Sequence, residues 1–332
     1  MAAAMARSST AAALVAILMV SLLLSPALSA SSALLPPALS VPLNATVGAN
    51  LSDYFTVASC PNLEQAIFLA MFQVLRSDIS IAAGLLRLYF HDCFPQGCDA
   101  SILLQGRGSE QQMGNNLTLH PKALQLIEQL RAQAAVKWLG GPDYAVAQGM
   151  LDSVGPASAQ EVGSLPAQTS DVPKLLSTFA SKGFGDPTEL VAFSGAHTIG
   201  VARCDSFRDR ALKREDVFAT LLLIACARNP GLMQPLDVMT WNLFDNKYLW
   251  DLKNRQGVLT SDMALIKDAR TAPIVDLFAQ DQNAIFAAFA KTMTKLSHFR
   301  PHGNSGEIRR NCFRANGRRM EEEADEGLAA SA

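Results

Sequence analysis

Two of the five histidines lie in sequence surroundings that could do chemistry. His91 follows Arg87 by four residues, so a helix would place a cation and an acid/base group on one face. Such a pair could flank a reactive ligand, although an exposed arginine above an ordinary histidine has the same spacing. His197 lies in the apolar, glycine-flanked run 193–200. It could be a metal ligand held against a flat cofactor, or simply a core residue.

Hard oxygen ligands surround both histidines in sequence. After His91 come Asp92, Asp99 and Ser101, and a tight turn at Gly97 would expose carbonyls between them. Ca²⁺ takes six to eight such oxygens. A zinc site built from cysteine and histidine is the alternative, but it needs a fourth ligand and free thiols. For a second Ca²⁺ near His197, the candidate ligands are Thr198, Asp237, Thr240 and Asp245.

The N-terminus has the order of a secretory signal peptide. Arg7 precedes an apolar run over residues 11–24, and small residues then lead to a cleavage site near Ser29 or Ala30. The alternative is an uncleaved anchor, but the run is shorter than the roughly 20 residues that span a bilayer. We therefore expect a secreted protein, extracellular or vacuolar, that has no membrane association once residues 1–30 are removed.

Secretion favours disulfides among the six cysteines, because the compartment is oxidising. Six cysteines allow fifteen pairings. Two pairs are close in sequence, Cys93 with Cys98 and Cys204 with Cys226, whereas Cys60 and Cys312 are far from the others. Tripeptides that could accept N-linked glycans begin at Asn44, Asn50 and Asn116, and each is a weak signal for a glycoprotein.

Composition and periodicity predict a mainly α protein. Of the 332 residues, 49% are hydrophobic and 17% are charged, which excludes a disordered chain. The formal net charge of −2 and the lack of a basic stripe argue against a nucleic-acid partner. Helical spacing of apolar residues recurs near residues 63–75, 124–134 and 285–296, and strand signals are sparse. We expect a loose lead-in over residues 31–51, a domain over 52–316 and a disordered tail over 317–332.

Together these motifs resemble the class III secretory plant haem peroxidases. The resemblance rests on the runs 87–104 and 194–198, and on the run 244–248 with Ser261 and Asp262. It extends in order from Cys60 to Cys312. It implies the mainly α haem-peroxidase fold, with one haem b between a distal and a proximal half, and two Ca²⁺ ions. The implied function is a monomeric extracellular enzyme that reduces hydrogen peroxide and oxidises small phenolic donors in one-electron steps.

The resemblance also implies roles for single residues. His197 would be the axial iron ligand, with Asp262 on its other ring nitrogen. His91 would be the distal base that moves the proton of the peroxide, and Arg87 would stabilise the developing negative charge. The amide of Asn116 would accept the other ring proton of His91.

The remaining implied positions are one cavity wall, two Ca²⁺ sites and two disulfides. Phe90 would line the haem cavity, and the disulfides would be Cys93–Cys98 and Cys204–Cys226. The distal Ca²⁺ ligands would be Asp92, the carbonyls of Pro95 and Gly97, Asp99 and Ser101, with Glu110 tied to the ion through water. The proximal ligands would be Thr198, Asp237, Thr240, the Leu243 carbonyl and Asp245.

The chain departs from the family pattern in two places. Around residues 135–138 it lacks a core helix and two cysteines. In the family these two cysteines pair with Cys60 and Cys312. Each lost bridge costs about 2–5 kcal/mol, against a total stability of about 5–15 kcal/mol. A truncated gene model or splice form, a degenerate relative, or repacking with Cys60 joined to Cys312 would each explain this. At the second place, Ala147 occupies the position where the family has a proline whose carbonyl binds aromatic donors.

Two other function classes remain open from the sequence. The missing helix and the altered donor edge favour a catalytically impaired Ca²⁺-binding scaffold on a peroxidase fold. The retention of every implied catalytic position favours the enzyme. A metal-dependent hydrolase using His91 and Asp92 lacks a plausible ligand set and leaves His197 unexplained.

Overall fold

The computed structural model describes residues 63–126, 150–299, 306–309 and 311–317. Within these ranges the chain forms twelve α-helices and two short strands, so the predicted mainly α class is confirmed. Several predicted features lie outside the described residues and stay predictions. They are the signal peptide and lead-in, Cys60, the missing segment near 135–138, Ala147 and the tail beyond residue 317.

The helices follow one another with short connections. The first six are α1 (Leu63–Ser77), α2 (Ser80–Gln96), α3 (Pro121–Leu126), α4 (Ala159–Val162), α5 (Val172–Ala180) and α6 (Pro187–Ser194). The next six are α7 (Arg208–Lys213), α8 (Val217–Arg228), α9 (Lys247–Lys253), α10 (Thr260–Leu265), α11 (Ala272–Gln280) and α12 (Gln282–Ser297). Strands β1 (Val201–Arg203) and β2 (Met233–Pro235) pair antiparallel, with Val201 opposite Pro235.

Aspartate caps fix where four of these helices begin. Asp171, Asp186, Asp216 and Asp281 each accept a backbone N–H from the first turn of α5, α6, α8 and α12. Such caps satisfy donors that have no partner inside the helix and are typically worth about 1 kcal/mol each. The cap on α6 matters for function, because His197 lies in the turn that follows this helix.

A group of phenylalanines joins α2 to α5 and α6. Phe90 stacks on Phe94 at a centroid distance of 4.8 Å and meets Phe193 edge-on at 5.3 Å. Phe179 of α5 contacts Phe94 at 5.0 Å. Aromatic pairs of this kind add to the free energy gained by burial. The group sets the position of the helix that carries His91 relative to the segment that carries His197.

Helix α12 packs closely against the end of α6. A Cβ added to Gly195 would lie 2.7 Å from Ile285 Cδ1, so a larger residue at this crossing would require the Ile285 side chain to move. Phe289, one turn further along α12, is fully buried and meets Phe244 edge-on at 4.9 Å. These contacts hold the turn that carries His197 against the core.

Both short-range disulfides are present. Cys93–Cys98 closes the end of α2, and Cys204–Cys226 links the turn before α7 to α8. The second bridge lies in a smaller apolar cluster with Phe207, Leu222 and Val258. Among the described residues, none of the helices combines the length and the apolar character needed to cross a membrane.

We predict that Phe289→Ala lowers the free energy of unfolding by about 3–5 kcal/mol, because it removes a buried ring and leaves a cavity. Urea denaturation of the purified protein measures the loss. The control is Leu277→Ala on α11, where the side chain is 55% exposed and the expected change is within about 0.5 kcal/mol. Equal losses in the two variants would contradict the packing described here.

Candidate active site

Helix α2 places Arg87 beside His91. Arg87 Nε lies 3.3 Å from His91 Nε2. The other guanidinium nitrogens donate to backbone carbonyls after α2, at 2.8 Å to Asn115 and 3.0 Å to Thr118. Arg87 Nη2 also donates to the Thr118 hydroxyl at 3.0 Å. The cation is therefore held in one place next to the imidazole.

The second ring nitrogen of His91 faces an amide. His91 Nδ1 lies 2.7 Å from Asn116 Oδ1, and Asn116 is only 1% exposed. An amide oxygen accepts a hydrogen bond, so Nδ1 carries the proton and Nε2 keeps its lone pair. Burial, reinforced by the charge of Arg87, lowers the pKa of His91 to about 3. His91 is neutral at physiological pH, and the lone pair of its Nε2 accepts the long hydrogen bond that Arg87 Nε–H donates at 3.3 Å.

The burial of Asn116 also bears on glycosylation. Asn116 begins one of the three sequons, but its amide is buried against His91. A glycan requires a side chain that reaches solvent. The folded chain therefore cannot carry one at Asn116, and the sequons at Asn44 and Asn50 lie outside the described residues.

His197 has a carboxylate partner. It lies in a 3₁₀ turn directly after α6, and its Nδ1 is 2.8 Å from Asp262 Oδ1. Asp262 is 1% exposed and accepts two more hydrogen bonds, from the Tyr248 hydroxyl at 2.9 Å and from the Leu259 N–H at 2.9 Å. These three donors compensate for burying the charge.

The remaining nitrogen of His197 suits a metal. Within the described part of the chain, hydrogen bonds engage only Nδ1, and the side chain is 33% exposed. A histidine that ligates a metal typically donates its other ring N–H to a carboxylate, which fixes the tautomer and raises ligand basicity. The arrangement at His197 and Asp262 therefore fits an axial haem ligand.

The expected distal Ca²⁺ site contains closely spaced buried carboxylates. Burial raises the pKa of Asp92 well above its usual range, and the charges of Asp99 and Glu110 raise it further. Burial also raises the pKa of Asp99 and of Glu110. Asp92 Oδ1 and Glu110 Oε2 are buried without a hydrogen-bond partner in the described structure. Oxygens of this kind are what a cation would satisfy.

The loop around these carboxylates shows one difference from the expected ligand set. Gly97 has a φ of 118° at the end of α2, and Ser101 donates its backbone N–H to Asp99 Oδ1 at 3.1 Å. The carbonyl of Pro95 accepts a hydrogen bond from the ammonium group of Lys182. This carbonyl thus has a protein partner, which the sequence did not predict.

The five residues expected at the proximal Ca²⁺ site come together. Thr198 Oγ1 lies 3.0 Å from Asp237 Oδ2, 3.3 Å from the Leu243 carbonyl and 3.4 Å from Asp245 Oδ1. Thr240 Oγ1 lies 3.1 Å from the same oxygen of Asp245. A hydroxyl carries one proton and can donate to one acceptor at a time. The single hydroxyl proton of Thr198 therefore cannot serve all three oxygens around it.

Neither cluster is a metal site of histidine, cysteine and carboxylate groups alone. In the described ranges, no group of three or more His, Cys, Asp or Glu side chains is arranged to hold a metal ion. A cation in either place would need hydroxyl and carbonyl oxygens as well, which is the ligand chemistry of Ca²⁺.

Comparison with known proteins identifies the family. Residues 67–281 match the family model described as "Peroxidase". The chain belongs to the peroxidase family. It is 41% identical to the cationic peroxidase SPC4 of Sorghum bicolor over 80% of this chain and 82% of that protein. It is 37% identical to Peroxidase 66 of Zea mays, with coverage of 83% and 93%, and 38% identical to Peroxidase 12 of Arabidopsis thaliana, with coverage of 86% and 88%.

These relatives favour a peroxidase enzyme over the inactive scaffold. The family implies a haem cofactor, hydrogen peroxide and reducing substrates. The geometry at His197 is compatible with that cofactor.

The alignments also contain positions that this peroxidase lacks. The match to the sorghum protein is 298 positions long, but 80% of a 332-residue chain is about 266 residues. The shortfall of about 32 positions consists of residues that the relative has and this chain does not. The missing segment near residues 135–138 would contribute to such a shortfall and stays a prediction.

Sequence reasoning missed several contributors to the site. Tyr248 lies in the run 244–248 that carries the resemblance, but the sequence does not predict its hydrogen bond to Asp262. The backbone carbonyls of Asn115 and Thr118 hold Arg87, and the sequence does not reveal such contacts because every residue has a carbonyl. The hint for Tyr248 is its position one turn before Leu252 on a short helix, which suits a core position equally well.

We predict that Asp262→Ala destabilises the haem-free peroxidase by about 1–3 kcal/mol, because it leaves the buried Tyr248 hydroxyl and the Leu259 N–H without their acceptor. Urea denaturation of the haem-free protein measures this. Asp276→Ala is the control, because that carboxylate is 55% exposed and pairs only with Lys253. If both variants unfold at the wild-type urea concentration, the network around Asp262 is not as described.

Proposed function

We propose that this chain is a secreted, extracellular haem peroxidase that reduces hydrogen peroxide and oxidises phenolic-type donors one electron at a time. The observation that carries the proposal is the contrast between two histidines. Each has Nδ1 engaged, but His197 faces a carboxylate and His91 faces a neutral amide beside a cation. One is arranged as a strong ligand and the other as a neutral proton acceptor.

His197 is the residue that would hold a haem b. Its Nδ1–H donates to Asp262, which gives the imidazole anionic character and makes Nε2 a stronger donor. When bound, the haem supplies an iron that takes two oxidising equivalents from peroxide and passes them on singly. Phe90 of α2, which meets Phe193 of α6 edge-on, would form a wall of the haem cavity.

His91 moves the proton of the peroxide. Its Nε2 takes the proton from one oxygen and returns it to the other, which leaves as water, so the proton count balances within this step. Asn116 keeps the tautomer that leaves Nε2 basic. Arg87 stabilises the negative charge that develops on the leaving oxygen. Donor binding at Ala147 stays a prediction.

We expect His91→Ala to lower the rate of reaction with hydrogen peroxide by about 10²–10⁴-fold, because general acid–base catalysis contributes about this much. Stopped-flow absorption of the haem-loaded protein measures the rate, and haem content should equal that of wild type. His298→Ala, at an exposed histidine that directly follows α12, is the matched control. A His91→Ala protein that reacts at the wild-type rate would rule out His91 as the base.

We further propose two Ca²⁺ ions, one beside each histidine. The distal ligands are Asp92, Asp99, Ser101 and the carbonyls of Pro95 and Gly97, with Glu110 linked through water. The Pro95 carbonyl would bind the ion through the lone pair that Lys182 does not use. The proximal ligands are Thr198, Asp237, Thr240, Asp245 and the Leu243 carbonyl. The unpaired oxygen of Asp92 and the surplus of acceptors around Thr198 support these ions.

Metal analysis tests the Ca²⁺ proposal. The purified protein should contain two Ca²⁺ per chain, and Asp237→Asn should contain one, because it removes a buried ligand charge. Asp276→Asn should keep two. Removal of both ions with a chelator should lower the melting temperature and disturb the haem absorption band. A wild-type protein without bound Ca²⁺, or one indifferent to the chelator, would refute the proposal.

A further inference from the structure

Tyr248 approaches the same carboxylate oxygen as His197. Its hydroxyl donates to Asp262 Oδ1 at 2.9 Å, and His197 Nδ1 is 2.8 Å from that atom. The two rings lie edge-to-face, with centroids 5.8 Å apart and planes at 89°. The other oxygen, Oδ2, accepts only the Leu259 N–H among the described groups. Two donors therefore compete for the charge on one oxygen.

Helix α9 fixes the phenol in this position. Tyr248 and its neighbour Leu249 are fully buried. At the start of the helix, Asn246 donates to the carbonyls of Phe278 and Ala279 at 3.1 and 2.8 Å. Burial, reinforced by the charge of Asp262, raises the pKa of Tyr248 well above its usual range. The phenol is the donor in this contact, because the carboxylate oxygen of Asp262 at 2.9 Å accepts.

We propose that Tyr248 is a positioning residue that sets the ligand strength of His197 by withdrawing charge from Asp262. This inference rests on the proposed function, because it takes His197 as the iron ligand. A carboxylate that accepts the Tyr248 O–H attracts the His197 proton less strongly, because part of its charge is engaged by the phenol. The imidazole is then less anionic and donates less electron density to iron. Loss of the phenol should strengthen the donation and favour ferric over ferrous iron.

The experiment compares four haem-loaded proteins: wild type, Tyr248→Phe, Asp262→Asn and Tyr89→Phe. The midpoint potential of the ferric/ferrous couple and the iron–histidine stretching frequency are measured in each. Tyr248→Phe keeps the ring and removes only the hydroxyl. Tyr89→Phe makes the same change at another tyrosine, on α2. Asp262→Asn removes the charge itself.

The proposal expects opposite shifts in the two proximal variants. Tyr248→Phe should disfavour reduction about tenfold, which is about 59 mV for a one-electron couple, and should raise the stretching frequency. Asp262→Asn should raise the potential and lower the frequency, whereas Tyr89→Phe should match wild type. A structural role for Tyr248 alone would not produce shifts of opposite sign. If Tyr248→Phe matches wild type, or shifts in the direction of Asp262→Asn, the proposal is overturned.

A haem-free measurement separates this inference from the proposed function. In the haem-free protein, the proton NMR signal of His197 Nδ1–H should move downfield in Tyr248→Phe, because its bond to Asp262 becomes stronger. If wild type binds no haem, the proposed function fails, and this signal alone decides whether Tyr248 withdraws charge from Asp262. An unchanged signal would overturn the inference whether or not haem binds.

Discussion

The buried hydrogen bond between His197 and Asp262 is the constraint on which the arrangement of the proximal half depends. A carboxylate with 1% exposure is costly to bury unless donors surround it. The donors come from three separate places: the turn after α6, the first turn of α9 and the residue before α10. All three segments must therefore be fixed relative to one another. The close approach of α12 to Gly195 and the phenylalanines beside α6 hold the first segment, and the Asn246 hydrogen bonds to the Phe278 and Ala279 carbonyls hold the start of α9.

The two central histidines show how a partner sets the chemistry of one residue type. Asp262 carries a charge and strengthens His197 as a ligand. Burial, reinforced by the charge of Arg87 at 3.3 Å, makes protonation of His91 unfavourable, and the neutral Asn116 offers no charge to offset this. Enzyme sites often give two residues of the same type different chemical properties by placing them in different environments. Here the separation follows from one carboxylate, one amide and one guanidinium.

Much of this arrangement could be predicted from local sequence. Asp186 and the proline after it mark the start of α6, and the four-residue spacing of Arg87 and His91 places both on one face of α2. Contacts between distant segments could not be predicted in this way. The bond from Tyr248 to Asp262 depends on how α9 packs, and the hydrogen bond of Lys182 to the Pro95 carbonyl joins residues far apart in the chain. A sequon cannot reveal that Asn116 is buried, because the tripeptide reads the same in a loop or a core.

Haem binding at His197 is the central claim, and an absorption titration of the purified protein with haemin tests it most directly. The account predicts a sharp Soret band that saturates at one haem per chain. In His197→Gly the band should be lost or shifted, and added imidazole should restore it by filling the vacated position. A wild-type protein that binds no haem, or a His197→Gly protein with the wild-type band in the absence of imidazole, would contradict the account.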